Sequence, residues 1–364
     1  MRKLYYAALA LLVVAGCEDK TDIDLTARPA VYTMTNANTN AIVIFQRASD
    51  GTLTRGKTIA TGGSGLGTEL ESQYSLRLSD DRRFLFAANA GSDDITVFRV
   101  VSDSLIAVQR IGSGGDRPIS IASRGNLVYV LNAGNGGNIV GFAQSTTGEL
   151  SPLNVTRTLS GSPGSVPAAI DFSQDGSLLV VTEPDADVLD VFVVNAQGAA
   201  GQAIAQPSIG DSPFGLTFTR NDQLIVANAG FDTGFAELTA FNVSAAGALA
   251  FVDSVRTNQV ETTHVIVNNA ATAGYASNRG SNSISGFSLS TNGVFTSLNA
   301  NGVTATTGNR PEDLALSSNG QFLYVLNTGD NTISSFRVNS NGTLTALATA
   351  ANSLPASSYG LAAF

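Results

Sequence analysis

The chain has 364 residues, of which 43% are hydrophobic, only 13% are charged and 37 are glycine, a composition that favours a β-rich globular fold over disorder or coiled coil. Its formal net charge is −9, and loss of Arg2 and Lys3 with an N-terminal leader takes it to −11, so the basic footprint of a phosphate-backbone binder is missing and no nucleic-acid partner is expected. A single cysteine and a single histidine exclude a disulfide framework and a cysteine-based zinc site, and no metal is expected.

At the start of the chain, Arg2 and Lys3 precede an apolar run from Leu4 to Ala15. That run is too short to span a bilayer as a helix and has the shape of a signal-peptide core. It ends Val14-Ala15-Gly16-Cys17, which resembles a bacterial lipobox, where small residues fit the signal peptidase and the thiol accepts diacylglycerol. Residues 1–16 are therefore read as a lipoprotein signal peptide and Cys17 as the lipidation site. The alternative, an ordinary secretory leader with an incidental cysteine, predicts export equally. Residues 17–29 read as the lipidated cysteine and a polar tether of roughly 20 Å root-mean-square length. The expected address is the cell envelope, periplasmic or at the outer membrane or cell surface, with the lipid as the membrane contact.

From Ala30 onward a unit of about fifty residues recurs seven times, the period of a propeller blade. Its most legible copy runs Phe322-Leu-Tyr-Val-Leu-Asn327, then a polar turn, then a second strand ending in Phe336. The pattern repeats around Asn36 and Phe45, Asn89 and Phe98, Asn132 and Phe142, Glu183 and Phe192, Asn228 and Phe241, and Asn278 and Phe287. Alternating apolar strands separated by turn residues predict antiparallel meanders. A short strand precedes each unit, usually after proline, as in Pro118-Ile-Ser-Ile, Pro213-Phe-Gly-Leu and Pro311-Glu-Asp-Leu; proline can begin a strand because its first N–H need not pair. These strands are expected to line the axis. The first blade lacks this element, and Tyr359 to Phe364 repeats it with no blade following. Residues 30–364 are thus predicted to form an all-β, seven-bladed propeller of four-stranded antiparallel blades, closed by the C-terminal strand completing the N-terminal blade.

Two segments, Tyr275-Ala-Ser-Asn-Arg-Gly280 and Arg310-Pro-Glu-Asp-Leu-Ala-Leu316 through Asn327, resemble blades of the lactonase-type seven-bladed propellers, a family that includes bacterial 6-phosphogluconolactonase and fungal carboxymuconate cyclase. The resemblance covers the chain after Ala30. It implies inner-strand His and Arg residues and a Glu after one blade's Asn, aimed at the mouth, where they polarise a lactone carbonyl and position water. Blade by blade, the family's His before the fourth blade falls on Val166 to Ala169, its Arg-His pair on Phe214 and Gly215, and its Glu on Ala229. Those polar positions are apolar here. His264 matches the inner-strand His of the sixth blade and Arg279 lies in the matching turn.

His264 and Arg279 are accordingly the catalytic candidates. An imidazole on the innermost strand is expected to face a solvent-filled mouth and titrate near neutrality; the bland alternative is a hydrogen-bonded relic. Arg279 offers a charge for a carboxylate or phosphate, or else ties neighbouring blades. Glu183, standing where other blades have Asn, is a candidate ligand-binding acid or an exposed turn carboxylate. Glu312 and Asp313 are further ligand-binding candidates; as neighbours on a strand they are expected to face opposite sides, with only one reaching the channel. Thr61 to Gly67 is glycine-rich but lacks the Lys-Ser/Thr of a phosphate loop, and Asp185, Asp187 and Asp190 match no calcium-loop spacing. No cofactor is expected. Two functions follow: a monomeric envelope binding or scaffold module for a protein or glycan partner, favoured by the apolar replacements, and a lactone hydrolase with a reduced site. A cytosolic sugar-phosphate reaction fits an exported chain poorly.

Overall fold

A computed structural model of the chain describes residues 28–161, 166–348 and 354–364; the leader, Cys17 and most of the tether lie outside the described residues. The strands assemble into seven antiparallel sheets arranged as a ring. Six blades follow chain order from an inner strand outward, and in the sixth the outer position is shared by Phe295–Ser297 and Ala305–Thr306, both paired with Ser283–Leu289. The first blade is the exception the sequence predicts: Tyr359–Ala363 pairs with Ala30–Met34, which leads on to Ala41–Arg47 and Leu53–Ala60. The last strand therefore supplies the innermost position of the first sheet, and closure removes a free edge.

The apolar faces predicted by alternation meet between blades. Seven hydrophobic clusters fill the seven interfaces, each drawn from two adjacent sheets. The interface between the seventh and first blades joins Tyr324 and Leu326 to Val31, Val43 and Leu361, so the ring closes by packing as well as by hydrogen bonding. The repeat phenylalanines are core residues; Phe98 and Phe192 are fully buried. A tyrosine hydroxyl caps three interfaces by donating to a glycine carbonyl in the neighbouring blade's outer hairpin: Tyr129 to Gly198, Tyr275 to Gly342 and Tyr324 to Gly51. At Gly51 (φ +92°) a β-carbon would run into the Phe322 ring, so the hairpin requires glycine both for its left-handed backbone and for the close approach.

The repeat asparagines stitch the end of each second strand to the start of the third. Asn89 donates to Asp94 and Thr96, Asn278 to Ser283 and Ser285, and Asn327 to Thr332 and Ser334. In the first blade the register departs from the expectation. Val31 and Leu85 both face their blade's phenylalanine, so Thr35 occupies the slot of Asn89 and Asn36 sits one residue beyond it. Asn40 takes over the stitching, accepting from Asn36 N–H and donating to Asn89.

Antiparallel order places two sets of connections at one end of the ring: those entering each inner strand and those joining each second strand to the third. This end is the mouth. The residue before an inner strand is left-handed at Arg117, Ser212, Glu261 and Arg310 (φ +55° to +58°), which swings the chain from the rim onto the axis. Just inside, register shifts follow Pro118, Thr262 and Pro311, so the first inner-strand side chains do not keep strict alternation.

Candidate functional site

Five sequence-singled residues occupy the mouth end. His264, on Thr262–Val267, is fully buried, which corrects the expectation that it faces solvent. Its Nε2 lies 3.1 Å from Ser72 O and its Nδ1 3.0 Å from Thr263 Oγ1. A carbonyl only accepts, so Nε2 carries the proton and the Nδ1 lone pair takes the threonine hydroxyl. The Phe214 ring packs 5.6 Å away. Burial holds the imidazole down at about 4, against the raising effect of Ser72 O and with a small lowering by Arg279. The side chain is a neutral, doubly engaged imidazole.

What covers it was not foreseen. The connection from residue 61 to residue 75, 15 residues long, enters the second blade across the axis. Ser72, Gln73 and Ser75 are fully buried, and their hydrogen bonds reach round the ring. Ser72 Oγ donates to Ile119 O, Gln73 N to Ala168 O, and Gln73 Nε2 to Val265 O, while Ser120 Oγ donates to Gln73 O. Ser72 and Gln73 thus tie the third, fourth and sixth blades together and fill the channel. Gly215 makes room for it: a β-carbon there would strike Gln73 Oε1 and lie 2.6 Å from Thr263 O. Beside it, Ala168, Phe214 and Ala229 form a small apolar cluster. They lie on or within the positions onto which the resemblance placed polar groups, and here they are packed as hydrocarbon.

Arg279 and the acids around it lie nearer the opening. Arg279 Nε is 2.7 Å from Glu312 Oε1, and its Nη2 donates to Glu69 Oε2 at 2.8 Å. Arg310 Nη2 reaches the same Glu69 oxygen at 2.7 Å, and Glu261 stands 3.9 Å from Arg279. The Arg279–Glu312 contact is a close approach of guanidinium to carboxyl without hydrogen-bond alignment. Arg279 thus bridges blades, as one of the two alternatives has it, and is 15% exposed at the opening. Glu312 is buried and accepts from Tyr359 Oη at 3.3 Å. Burial pushes its carboxyl up to about 8; Arg279 opposes this, and Glu69 and Glu71 reinforce it.

Asp313 does not share that site. It accepts Leu361 N–H at 2.9 Å and its neighbour Leu314 N–H, tying the seventh blade to the closing strand, and burial raises it to about 7. Both acids are buried, yet they form no dyad, because each is held by different partners. Glu183 is also buried, contrary to the exposed-turn alternative. Its Oε1 accepts Gly161 N–H at 3.0 Å, while Asp190 takes Ser160 N–H and Oγ–H, so an acceptor replaces the repeat's amide where a loop offers donors. Among the described residues no group of three or more His, Cys, Asp or Glu is placed to hold a metal ion.

Two hollows flank the arginine bridge. One, about 450 Å³, is lined by Thr68, Glu69, Glu71, Thr328, Ser357 and Tyr359 among others. The other, about 310 Å³, lies over Glu261, Arg279 and Arg310. Glu69, Gln73, Arg310 and Tyr359 were missed as site residues. The available signal was loop length: 15 residues enter the second blade where 5 enter the third, and long connections in compact folds commonly carry function.

A ring of seven antiparallel sheets, closed by its last strand, defines a seven-bladed β-propeller. The sequence profile of the seven-bladed β-propeller lactonases matches residues 26–162 and 269–357, and the chain belongs to that family. No curated protein sequence matches it. Among solved structures it is similar to a Bacteroides fragilis protein provisionally assigned as a 6-phosphogluconolactonase, with 19% identity, TM-score 0.71, and coverage of 95% of this chain and 99% of that one. It is also similar to a periplasmic gluconolactonase of Pseudomonas aeruginosa, with 17% identity, TM-score 0.71, and coverage of 92% and 98%. A Lactobacillus plantarum protein gives 16% identity, TM-score 0.75, and coverage of 93% and 100%. At these identities the likeness is one of fold.

Proposed function

We propose that this chain is a lipid-anchored envelope protein whose propeller binds a ligand or partner at its mouth and does not hydrolyse a lactone. The observation that supports this reading is the filled axis. Hydrolysis needs a base within hydrogen-bond reach of water beside the carbonyl, together with donors for the oxyanion. Here the imidazole has both nitrogens engaged behind Ser72 and Phe214, and Ala168, Phe214 and Ala229 occupy the family's other polar positions. The anchor rests on Cys17 and its leader. The test is release of acid from δ-gluconolactone and larger lactones by the full chain and by His264→Ala, with label from radioactive palmitate followed in Cys17→Ala. No turnover above buffer and loss of lipid label in Cys17→Ala are expected; turnover abolished by His264→Ala overturns the binding reading.

One observation favours a lactone hydrolase instead. A carboxyl raised to about 8, touching Tyr359 and Arg279 beside a 450 Å³ hollow, has the makings of a general acid–base group at neutral pH. Under this reading turnover survives His264→Ala and is lost in Glu312→Gln.

A further inference from the structure

The mouth is more acidic than its one conspicuous salt-bridge cluster suggests. The described connections at this end carry 10 carboxylates against 3 arginines, Arg117, Arg279 and Arg310. Two of those arginines are spent on a single oxygen of Glu69. Glu71 is exposed, enters no ion pair with Arg279 or Arg310, and lines the same hollow. A negative rim around a concave site raises the local concentration of cations.

The rest of the hollow is built of hydroxyls. Thr68, Thr328, Ser357, Ser358 and Tyr359 line it with Glu69 and Glu71, and Ala356 is its one aliphatic side chain. Ser358 is only 3% exposed and its Oγ has no hydrogen-bond partner among the described residues. At about 450 Å³ the hollow lies in the size range of small-molecule sites and holds a pyranose-sized ring. The lining holds carboxylates and hydroxyls and no arginine, which disfavours acids and phosphates, including the sugar acid that a lactone opens to.

We propose that this hollow is a binding site for a polyhydroxylated ligand bearing a primary ammonium, an amino sugar in chemical class, with Glu71 taking the ammonium and the serine and threonine hydroxyls the ring oxygens. The inference rests on the binding reading above and names its ligand class.

The experiment is calorimetric titration of the full chain with glucosamine, glucose, gluconate and n-butylamine, alongside the lactone assay. Glucosamine is expected to bind at least tenfold more tightly than glucose or butylamine, with gluconate undetectable. Glu71→Gln is expected to weaken glucosamine about tenfold and leave glucose unchanged, while an unchanged melting temperature shows that the fold is intact. Equal binding of glucosamine and butylamine, preference for gluconate, or indifference to Glu71→Gln overturns the amino-sugar assignment alone. Lactone turnover overturns the binding reading beneath it, whatever glucosamine does.

Discussion

The axis of this propeller holds a buried arginine–carboxylate pair at each end, and the two are built to different standards. At the end away from the mouth, Arg77 on Leu76–Leu78 donates to Asp171 on Ala169–Phe172 at 2.9 Å, and the guanidinium stacks over the Tyr74 ring at 4.0 Å. Asp171 also accepts Phe172 N–H. At the mouth, Arg279 meets Glu312 closely but without hydrogen-bond alignment, and is shared among Glu69 and Glu261 as well. The first pair is a satisfied structural clamp joining the second and fourth blades. The second is under-satisfied and borders a hollow, and incompletely paired polar groups beside a cavity are where a ligand gains most.

The clamp gives the largest expected effect. Asp171→Ala leaves a part-buried guanidinium facing no carboxylate, and breaking such a pair costs about 3 kcal/mol, the low end for a buried one, read as a lower urea midpoint at unchanged slope. Gly215→Ala comes next. Its β-carbon meets Thr263 O at 2.6 Å and the Gln73 amide, and overpacking of this kind costs about 2 kcal/mol; since backbone is one of the clashing partners, truncating Gln73 restores only part of it.

The mouth pair responds less, and its response depends on pH. Glu312 rises in the fold from its ordinary 4.5 to about 8, so the folded chain holds a proton that the unfolded chain releases between those values. That contribution to stability is complete below 4.5 and is lost as pH rises through 8. Below pH 7 the carboxyl is neutral, and Arg279→Met is expected to cost about 1 kcal/mol; the cost grows above pH 8, where the variant leaves a buried carboxylate. Glu312→Gln removes the titration, so stability of the variant relative to the natural chain improves steadily from pH 5 to pH 8. Urea unfolding at pH 6 and pH 9 separates the two ends: a loss in Arg279→Met as large and as pH-independent as that in Asp171→Ala dissolves the contrast.

The blades were legible because they are written seven times. The Asn–turn–Phe pattern reports hydrogen bonds and packing made within one sheet and its neighbour, and the orphan strand at Tyr359 announced the closure. The site was legible only in its membership. His264, Arg279, Glu312 and Asp313 stand on or beside inner strands as expected, but burial of the first was hidden by a loop from another blade. The reach of Ser72 to His264 spans 192 residues in sequence, and no local pattern encodes such a contact. Glu183 shows the converse. The sequence marked it as odd, and the donor that explains it, Gly161 N–H, lies in a loop with no periodicity to read.

Because the chain has a single histidine, its imidazole can be followed by NMR without assignment, and this measurement bears most directly on the claim that the histidine is sealed behind the connection from residue 61 to residue 75. The account predicts one neutral tautomer with the proton on Nε2 and no titration between pH 5 and pH 8, since burial holds the group near 4. An imidazole that titrates near 6.5 and exchanges its proton freely with water would contradict it.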